Sequence, residues 1–249
     1  MHKCGSIREL MEKHGVNPLM VVMSVRDLPV SWYWIDKVRY LDKLIIKHHP
    51  HHEAHRVARK WFLDNPQYTH MLIYAEDVIA TPCHIALLIR DYIEYGYPII
   101  SGYSNWEWMN DWVNITDRDM RKISVIMPQQ YRFHRLKDLL KLMTDNKVEY
   151  PLKKVFFVGL PLTLIRRDVV EKVPFRPYRW VTDRTLGKFM RRGIMFDLQF
   201  AIDCANNNIP IYVDLRCLVL HFGDTRKLIN IANKKPYVRF VKAGESICQ

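Results

Sequence analysis

No window of the sequence holds the eighteen or so uncharged apolar residues that a membrane-spanning helix requires. The first fifteen residues, MHKCGSIRELMEKHG, lack the apolar core of a secretory signal, so a cytoplasmic chain is expected. Cysteine is sparse. Cys4, Cys83, Cys204, Cys217 and Cys248 are odd in number and show no CxxC spacing, which excludes a zinc finger and a disulfide framework. Cys83 and Cys204 fall in helix-like apolar patterns and are expected as small core residues. Internal repeats and low-complexity linkers are also missing, and a single α/β domain over 1–249 is expected, its core at about 18–223 and a basic, peripheral tail beyond. Acid is the scarcer charge: 26 Asp and Glu stand against 38 Lys and Arg, leaving +12. An anionic partner follows, and nucleic acid, a membrane surface and a nucleotide diphosphate all satisfy that inference.

What is present suits a self-sufficient core. Of 249 residues 49% are hydrophobic, and a compact fold of this size buries roughly 70 to 75% of its unfolded surface. The stretch YTHMLIYAEDVIA, Tyr68 to Ala80, organises the rest. Met71 to Tyr74 have the length and side chains of a buried strand, and Glu76 and Asp77 fall where it emerges at its carboxyl end, the position at which open α/β sheets bind ligands.

Around it the chain alternates strand and helix signals. Leu19 to Val25 reads as a first strand, and the loop Arg26 to Val30 is a candidate ligand edge. Ser31 is placed to cap a helix carrying Trp34, Ile35, Val38 and Leu41, and Leu44 to Lys47 is a second strand. The run HHPHHEAH crowds His48, His49, His51, His52 and His55 around Pro50 without the HExxH spacing, and is expected as a solvated loop and helix start in preference to a metal site. Thr81, Pro82 and Gly96 frame a helix as N-cap, first residue and terminator. Tyr97 to Tyr103 is a strand, followed by the Trp- and Asn-rich loop 104–116, whose indoles suit either a sugar-binding surface or a lid. A strand at Ile123 to Met127, a helix from Phe133 to Met143 and a strand Lys154 to Leu160 come next. Leu162 to Arg166 extends the last strand past a proline, and Asp168 with Glu171 has the form of a capping box. Phe175 to Arg192 reads as a basic, aromatic loop over the site, Asp197 starts the last helix, and Ile209 to Val213 with Leu218 to His221 complete the sheet.

Four segments in this order resemble glycosyltransferases of the GT-A fold, family 2 type. HRVARKWFLDNPQYTHMLIYAEDVI is similar to the family's Ala-Arg-Asn helix and the strand ending in Asp-x-Asp, with Ala58-Arg59 matching, Lys60 in place of Asn, and Ala75-Glu76-Asp77 at the acidic motif. YPIISGY resembles the next strand, and VFFVGLPLTLIRRDVVEKVPF the segment leading through an Arg-Arg pair to Val-Pro-Phe. FDLQFAIDCANNNIPIYVDLRCLVLHFG is similar to the Glu-Asp-x-x-Phe helix, the Ile-Tyr-Val-Asp strand and the final His-x-Gly. The likeness spans about Pro18 to Gly223 and departs from the pattern at Ala75 and at Phe196, which replace acids. The second strand lacks the Asp that often reads uracil, leaving the donor base open. Stand-alone enzymes this short are similar to those carried by some archaeal viruses, which would place the chain in a host cytoplasm.

The resemblance implies a single GT-A (Rossmann-like) domain with a mostly parallel mixed central sheet and helices on both faces. It implies transfer of a sugar from a nucleotide-diphosphate donor to a glycan, protein or lipid acceptor, with Mn²⁺ or Mg²⁺ as cofactor. Val25, Arg26, Arg59, Glu76 and Asp77 would meet the donor, Asp77 and His221 the metal, and Trp106 and Trp108 the acceptor. Asp197 would be the base of an inverting reaction. A nucleic-acid-binding protein and a degenerate GT-A chain that binds without turnover are the alternatives.

Overall fold

The computed structural model describes residues 7–24, 29–105, 111–122, 133–145, 151–183, 190–221 and 235–247. In chain order they form α1 (Ile7–Lys13), β1 (Pro18–Ser24), α2 (Pro29–Lys37), β2 (Asp42–Lys47), α3 (His51–Leu63), β3 (His70–Ala75), β4 (Val78–Ile79) and α4 (Pro82–Tyr95). Then come β5 (Ile99–Ser104), β6 (Ile115–Thr116), α5 (Leu136–Thr144), β7 (Leu152–Val155), β8 (Phe157–Val158), β9 (Leu162–Arg166) and α6 (Arg167–Lys172). The remainder is β10 (Arg179–Asp183), β11 (Met190–Ile194), α7 (Phe196–Asn206), β12 (Ile211–His221) and β13 (Tyr237–Val241). The strand expected at Ile123 to Met127 lies outside the described residues.

One mixed nine-stranded sheet runs in the order β13-β2-β1-β3-β9-β5-β12-β4, with β7 also paired to β12. Strands β1, β2, β3, β5 and β12 point one way, and β4, β7, β9 and β13 run against them. Because β1 and β3 are flanked by strands on both edges and covered on both faces, Leu19 to Met23 and Met71 to Tyr74 are continuous apolar runs instead of alternating. Side chains of alternate parity feed two cores. Leu19, Val21, Met71 and Ile73 join α3, α6 and α7 on one face, and Met20, Val22, Leu72 and Tyr74 join α1, α2 and α4 on the other. Helix α4 has the boundaries its punctuation dictates: Thr81 N–H donates to His84 Nδ1 at 3.1 Å, Pro82 occupies the first turn, and Gly96 closes the helix at φ 68°.

Several expectations fail for local reasons. Lys154 to Leu160 is not one strand, since β7 pairs with β12 while β8 turns away to pair with β6. Asp168 and Glu171 make no capping box, because Asp168 is held by Arg166 at 2.6 Å and α6 has no side-chain cap. Cys204 is buried, but Cys83, in the first turn of α4, is exposed. The segment read as a loop over the site holds the antiparallel hairpin of β10 and β11. The tail is not wholly peripheral: β13 adds to the outer edge of β2, pairing Tyr237 with Lys47 and Val241 with Lys43. Lys43 is thereby fully buried, its Nζ has no hydrogen-bond partner, and burial lowers its pKa.

Strand β12 carries the least regular feature of the sheet. Against β5 its register jumps between Val213 and Leu218, so Asp214 to Cys217 bulge out. Gly102 faces this bulge, and a Cβ there would lie 2.8 Å from Cys217 Sγ. Arg216 fixes the bulge to α4, donating to Asp91 at 2.6 Å and to Asp214 at 3.0 Å, both carboxyls being buried. Burial, followed by the hydrogen bond and charge of Asp214, pushes Asp91 up to about 8 against the pull of Arg216. Asp91 Oδ2 has no hydrogen-bond partner, as suits a carboxyl that keeps its proton.

A carboxyl pKa raised on folding contributes stability that is fully present below the unfolded value, near 3.8, and is lost as pH rises through about 8. Asp91→Asn mimics the protonated acid, so its melting temperature relative to wild type should climb between those limits and level off above them. A pH-independent difference in thermal melts would contradict a proton held by Asp91.

Candidate functional site

The acidic turn is built by the two short segments that follow β3. Glu76 and Asp77 form the tip, and β4 returns antiparallel to the end of β12, placing His221 opposite Val78. Buried Tyr74 pins the turn from beneath, its hydroxyl donating to Ala80 O at 3.0 Å and accepting from Ala80 N–H at the same distance. Ser31 adds a bond to Val78 O at 3.3 Å. This register, and not chance proximity, brings His221 Nε2 to 3.1 Å from Asp77 Oδ2 across 144 positions of sequence. Their side chains are 22% and 17% exposed, so the pair is reachable from solvent, whereas Glu76 is buried.

Asp197 reaches the same edge by topology. Helix α7 delivers the chain to the start of β12, so its first turn lies toward the carboxyl end of the sheet. Phe196 is stacked on His55 of α3 at 4.8 Å between ring centroids, and His55 also stacks on Phe175. Asp197 Oδ1 accepts from the Leu198 N–H at 2.8 Å. Part of the residue still reaches solvent, but the protein surrounds the carboxyl on most sides, and this burial raises its pKa against the pull of its backbone hydrogen bonds. A carboxylate of raised pKa is a better proton acceptor than an ordinary one.

Backbone strain gathers at this edge. Among the described residues four non-glycines adopt left-handed φ values; Asn208 (55°) lies between α7 and β12, and the other three, His48, Leu160 and Met195, have 57°, 51° and 58°. They lie just beyond β2, just before β9 and just before α7, and Pro161 beside Leu160 accepts the Ala75 N–H at 3.0 Å. Such conformations cost about 1 to 3 kcal/mol each and collect where function fixes the backbone. The sequence holds no signal for them, since none of the three is Gly, Asn or Asp.

The other candidate residues distribute differently. Arg59 sits well down α3 and spends its guanidinium on the end of α6, donating to Val170 O and Glu171 O at 2.9 Å each. With Arg56, Lys60, Leu63, Asp64, Pro174 and Phe175 it lines an open cleft of about 310 Å³ on the helical face, away from the acidic turn. The histidine run is less solvated than expected: His55 is buried, and His52 and His48 pack edge-on against Trp180, at 5.0 Å, and Tyr237, at 5.8 Å between ring centroids. Val25, Arg26, Trp106 and Trp108 lie outside the described residues. Among the described residues no group of three His, Cys, Asp or Glu is arranged to hold a metal ion.

Neither a protein-family model nor a curated protein matches the chain. Among solved structures, the crystal structure of A197 from STIV is similar over 84% of this chain and 95% of its own, with a TM-score of 0.50 and 14% identity. That likeness speaks for a shared α/β fold.

Proposed function

We propose that the chain transfers a sugar from a nucleotide-diphosphate donor to an acceptor hydroxyl, with Asp77 and His221 on a divalent cation and Asp197 as base. The observation that carries this reading is the contact of Asp77 with His221 at the carboxyl edge. Adjacent ligands of an octahedral ion, each at about 2.1 Å, stand about 3.0 Å apart. Oδ2 and Nε2 already have nearly that separation, at 3.1 Å. A donor set of one carboxylate and one imidazole, to be completed by phosphate oxygens and water, suits Mn²⁺ or Mg²⁺ better than Ca²⁺. The ion would offset the negative charge that develops on the departing diphosphate.

The residues of the chain divide the remaining work. Asp77 and His221 orient the diphosphate at the end of β3, and Asp197 takes the proton of the acceptor hydroxyl as its oxygen attacks the anomeric carbon. The bond from that carbon to the phosphate oxygen breaks, and the nucleoside diphosphate leaves with the electron pair. Attack from the face opposite the leaving group gives inversion. Ala75, in place of an acid, leaves the metal with few protein ligands and favours a second reading, a nucleotide-sugar binder without turnover.

Mn²⁺ titrations with and without a panel of nucleoside diphosphates test the pair. Tight metal binding is expected only with nucleotide present, weakened at least about tenfold by Asp77→Ala or His221→Ala. Unchanged metal-dependent nucleotide binding in His221→Ala would sink the shared site. Intact binding with no sugar transfer or donor hydrolysis would select the second reading.

A further inference from the structure

The cleft of about 310 Å³ on the helical face shares no residue with the acidic turn, and its lining has two parts of different character. One part is cationic. Arg56, Arg59 and Lys60 stand three and four positions apart on α3 and so share one face of that helix, with Asp64, the residue that ends it, as the single acid of the lining. The rest is apolar: Leu63 from the end of α3, and Pro174 and Phe175 from the segment that leaves α6.

Most of these side chains are held in place by the protein itself. Arg59 is fixed by Val170 O and Glu171 O, Lys60 pairs with Asp64, and the Phe175 ring is stacked on His55 at 5.8 Å and on Phe200 at 5.3 Å between centroids. Arg56 is the exception, being exposed and having no hydrogen-bond or ion-pair partner among the described residues. A preorganised apolar lining beside an uncommitted guanidinium suits one kind of ligand, because Arg gains charge-assisted hydrogen bonds from a carboxylate or phosphate while the lining gains by covering hydrocarbon. The volume lies at the small end of the range for ligand pockets, which limits the ligand's size.

We propose that this cleft is a second binding site, for a small organic anion whose carboxylate or phosphate head meets Arg56 and whose short hydrocarbon body lies against Leu63, Pro174 and Phe175. Arg59 and Lys60 add to the positive potential at the head. An inorganic anion would leave the apolar part of the lining uncovered, and a neutral apolar molecule would leave Arg56 without a partner. The proposal does not rest on the transfer reading, because the cleft contains none of Asp77, Asp197 and His221.

The experiment is calorimetric titration of the full chain with hexyl phosphate and with hexanoate, without metal or nucleotide, while inorganic phosphate and 1-hexanol supply head and body separately. Each fragment should bind at least about tenfold more weakly than the better of the two whole ligands, which identifies the preferred head. Arg56→Glu should weaken binding about tenfold or more, whereas Arg8→Glu on α1, which changes the net charge equally, should not. Asp64→Asn removes the one acid and releases Lys60, so binding should tighten, a gain that a damaged fold cannot produce. Arg56 is exposed, and its substitution should leave the melting temperature of the unliganded chain unchanged. No binding of either whole ligand, inorganic phosphate binding as tightly as hexyl phosphate, or equal losses in Arg56→Glu and Arg8→Glu would overturn the site. Displacement of hexyl phosphate by Mn²⁺ with a nucleoside diphosphate, abolished in His221→Ala, would overturn it too, by moving the ligand to the acidic turn.

Discussion

On the proposed reading, Asp197→Asn is expected to lower sugar transfer by about 10² to 10⁴, the usual cost of losing a general base, while making the folded chain more stable at alkaline pH. Both effects follow from the same burial. The surrounding protein disfavours the charged carboxylate and raises its pKa, so the acid contributes stability below its unfolded pKa that is lost as pH rises through the folded value. Asn carries no charge to desolvate, and its Oδ1 still accepts the Leu198 N–H that Asp197 holds at 2.8 Å. The gain in melting temperature should therefore be absent in acid and grow toward alkaline pH, with nucleotide binding retained at every step. Thermal melts across pH, paired with donor titration and a transfer assay, read all three quantities. An Asn variant that transfers sugar at the wild-type rate would dismiss Asp197 from the chemistry. A variant inactive but no more stable at high pH would contradict the burial argument alone.

Arg216→Met should be the most damaging substitution for stability away from the apolar core. It leaves Asp91 and Asp214 buried together without the cation that bridges them at 2.6 and 3.0 Å. Breaking one partner out of a buried ion cluster costs about 3 to 5 kcal/mol. Arg216 is itself 34% exposed, which points to the lower end of that range. At about 2 to 4 °C per kcal/mol for a chain of this size, the lower end of that cost lowers the melting temperature by roughly 6 to 12 °C. Asp91→Asn in the same background should recover part of the loss at neutral pH, because the amide removes one of the two buried acids. Because the bulge that Arg216 fixes leads directly into Leu218 to His221, metal-dependent nucleotide binding should weaken along with the fold. A melt unchanged within 1 to 2 °C at neutral pH would show that the two acids need no counter-ion.

The elements that could be read in the sequence are those whose environment is set by their own residues. Helix α4 announces itself through Thr81, Pro82 and Gly96, and β1 and β3 are apolar because both of their faces are covered. The acidic turn was legible for the same reason: a buried strand cannot continue through Glu76 and Asp77. Elements defined by a distant partner were not legible. Phe157 and Val158 look continuous with Val155, yet β8 leaves for β6 because Ile115 and Thr116 lie there. The β10–β11 hairpin is short and mixed in composition, and Arg179, Trp180 and Thr182 of β10 are exposed, so its sequence imitates a loop. Asp77 and His221 were brought together on the strength of a resemblance, and the antiparallel pairing of β4 with β12 supplies the physical reason for the encounter. Arg59 shows what a motif position leaves out, for it says nothing about which carbonyls a guanidinium will find, here those of Val170 and Glu171.

Strand β13 has a consequence for how the molecule is made. It completes a sheet edge that β2 opened ~190 residues earlier in the chain, which at about 5 to 20 residues per second corresponds to roughly 10 to 40 s of ribosomal synthesis. Throughout that interval the outer backbone of β2 is unpaired and Lys43, which ends up buried without a hydrogen-bond partner, remains hydrated. A nascent chain in this condition offers a template for the equivalent strand of a neighbour on the same messenger. Crowded polysomes should therefore yield strand-exchanged dimers joined through β13, whereas sparse initiation, which spaces the nascent chains apart, should yield monomers from the same sequence.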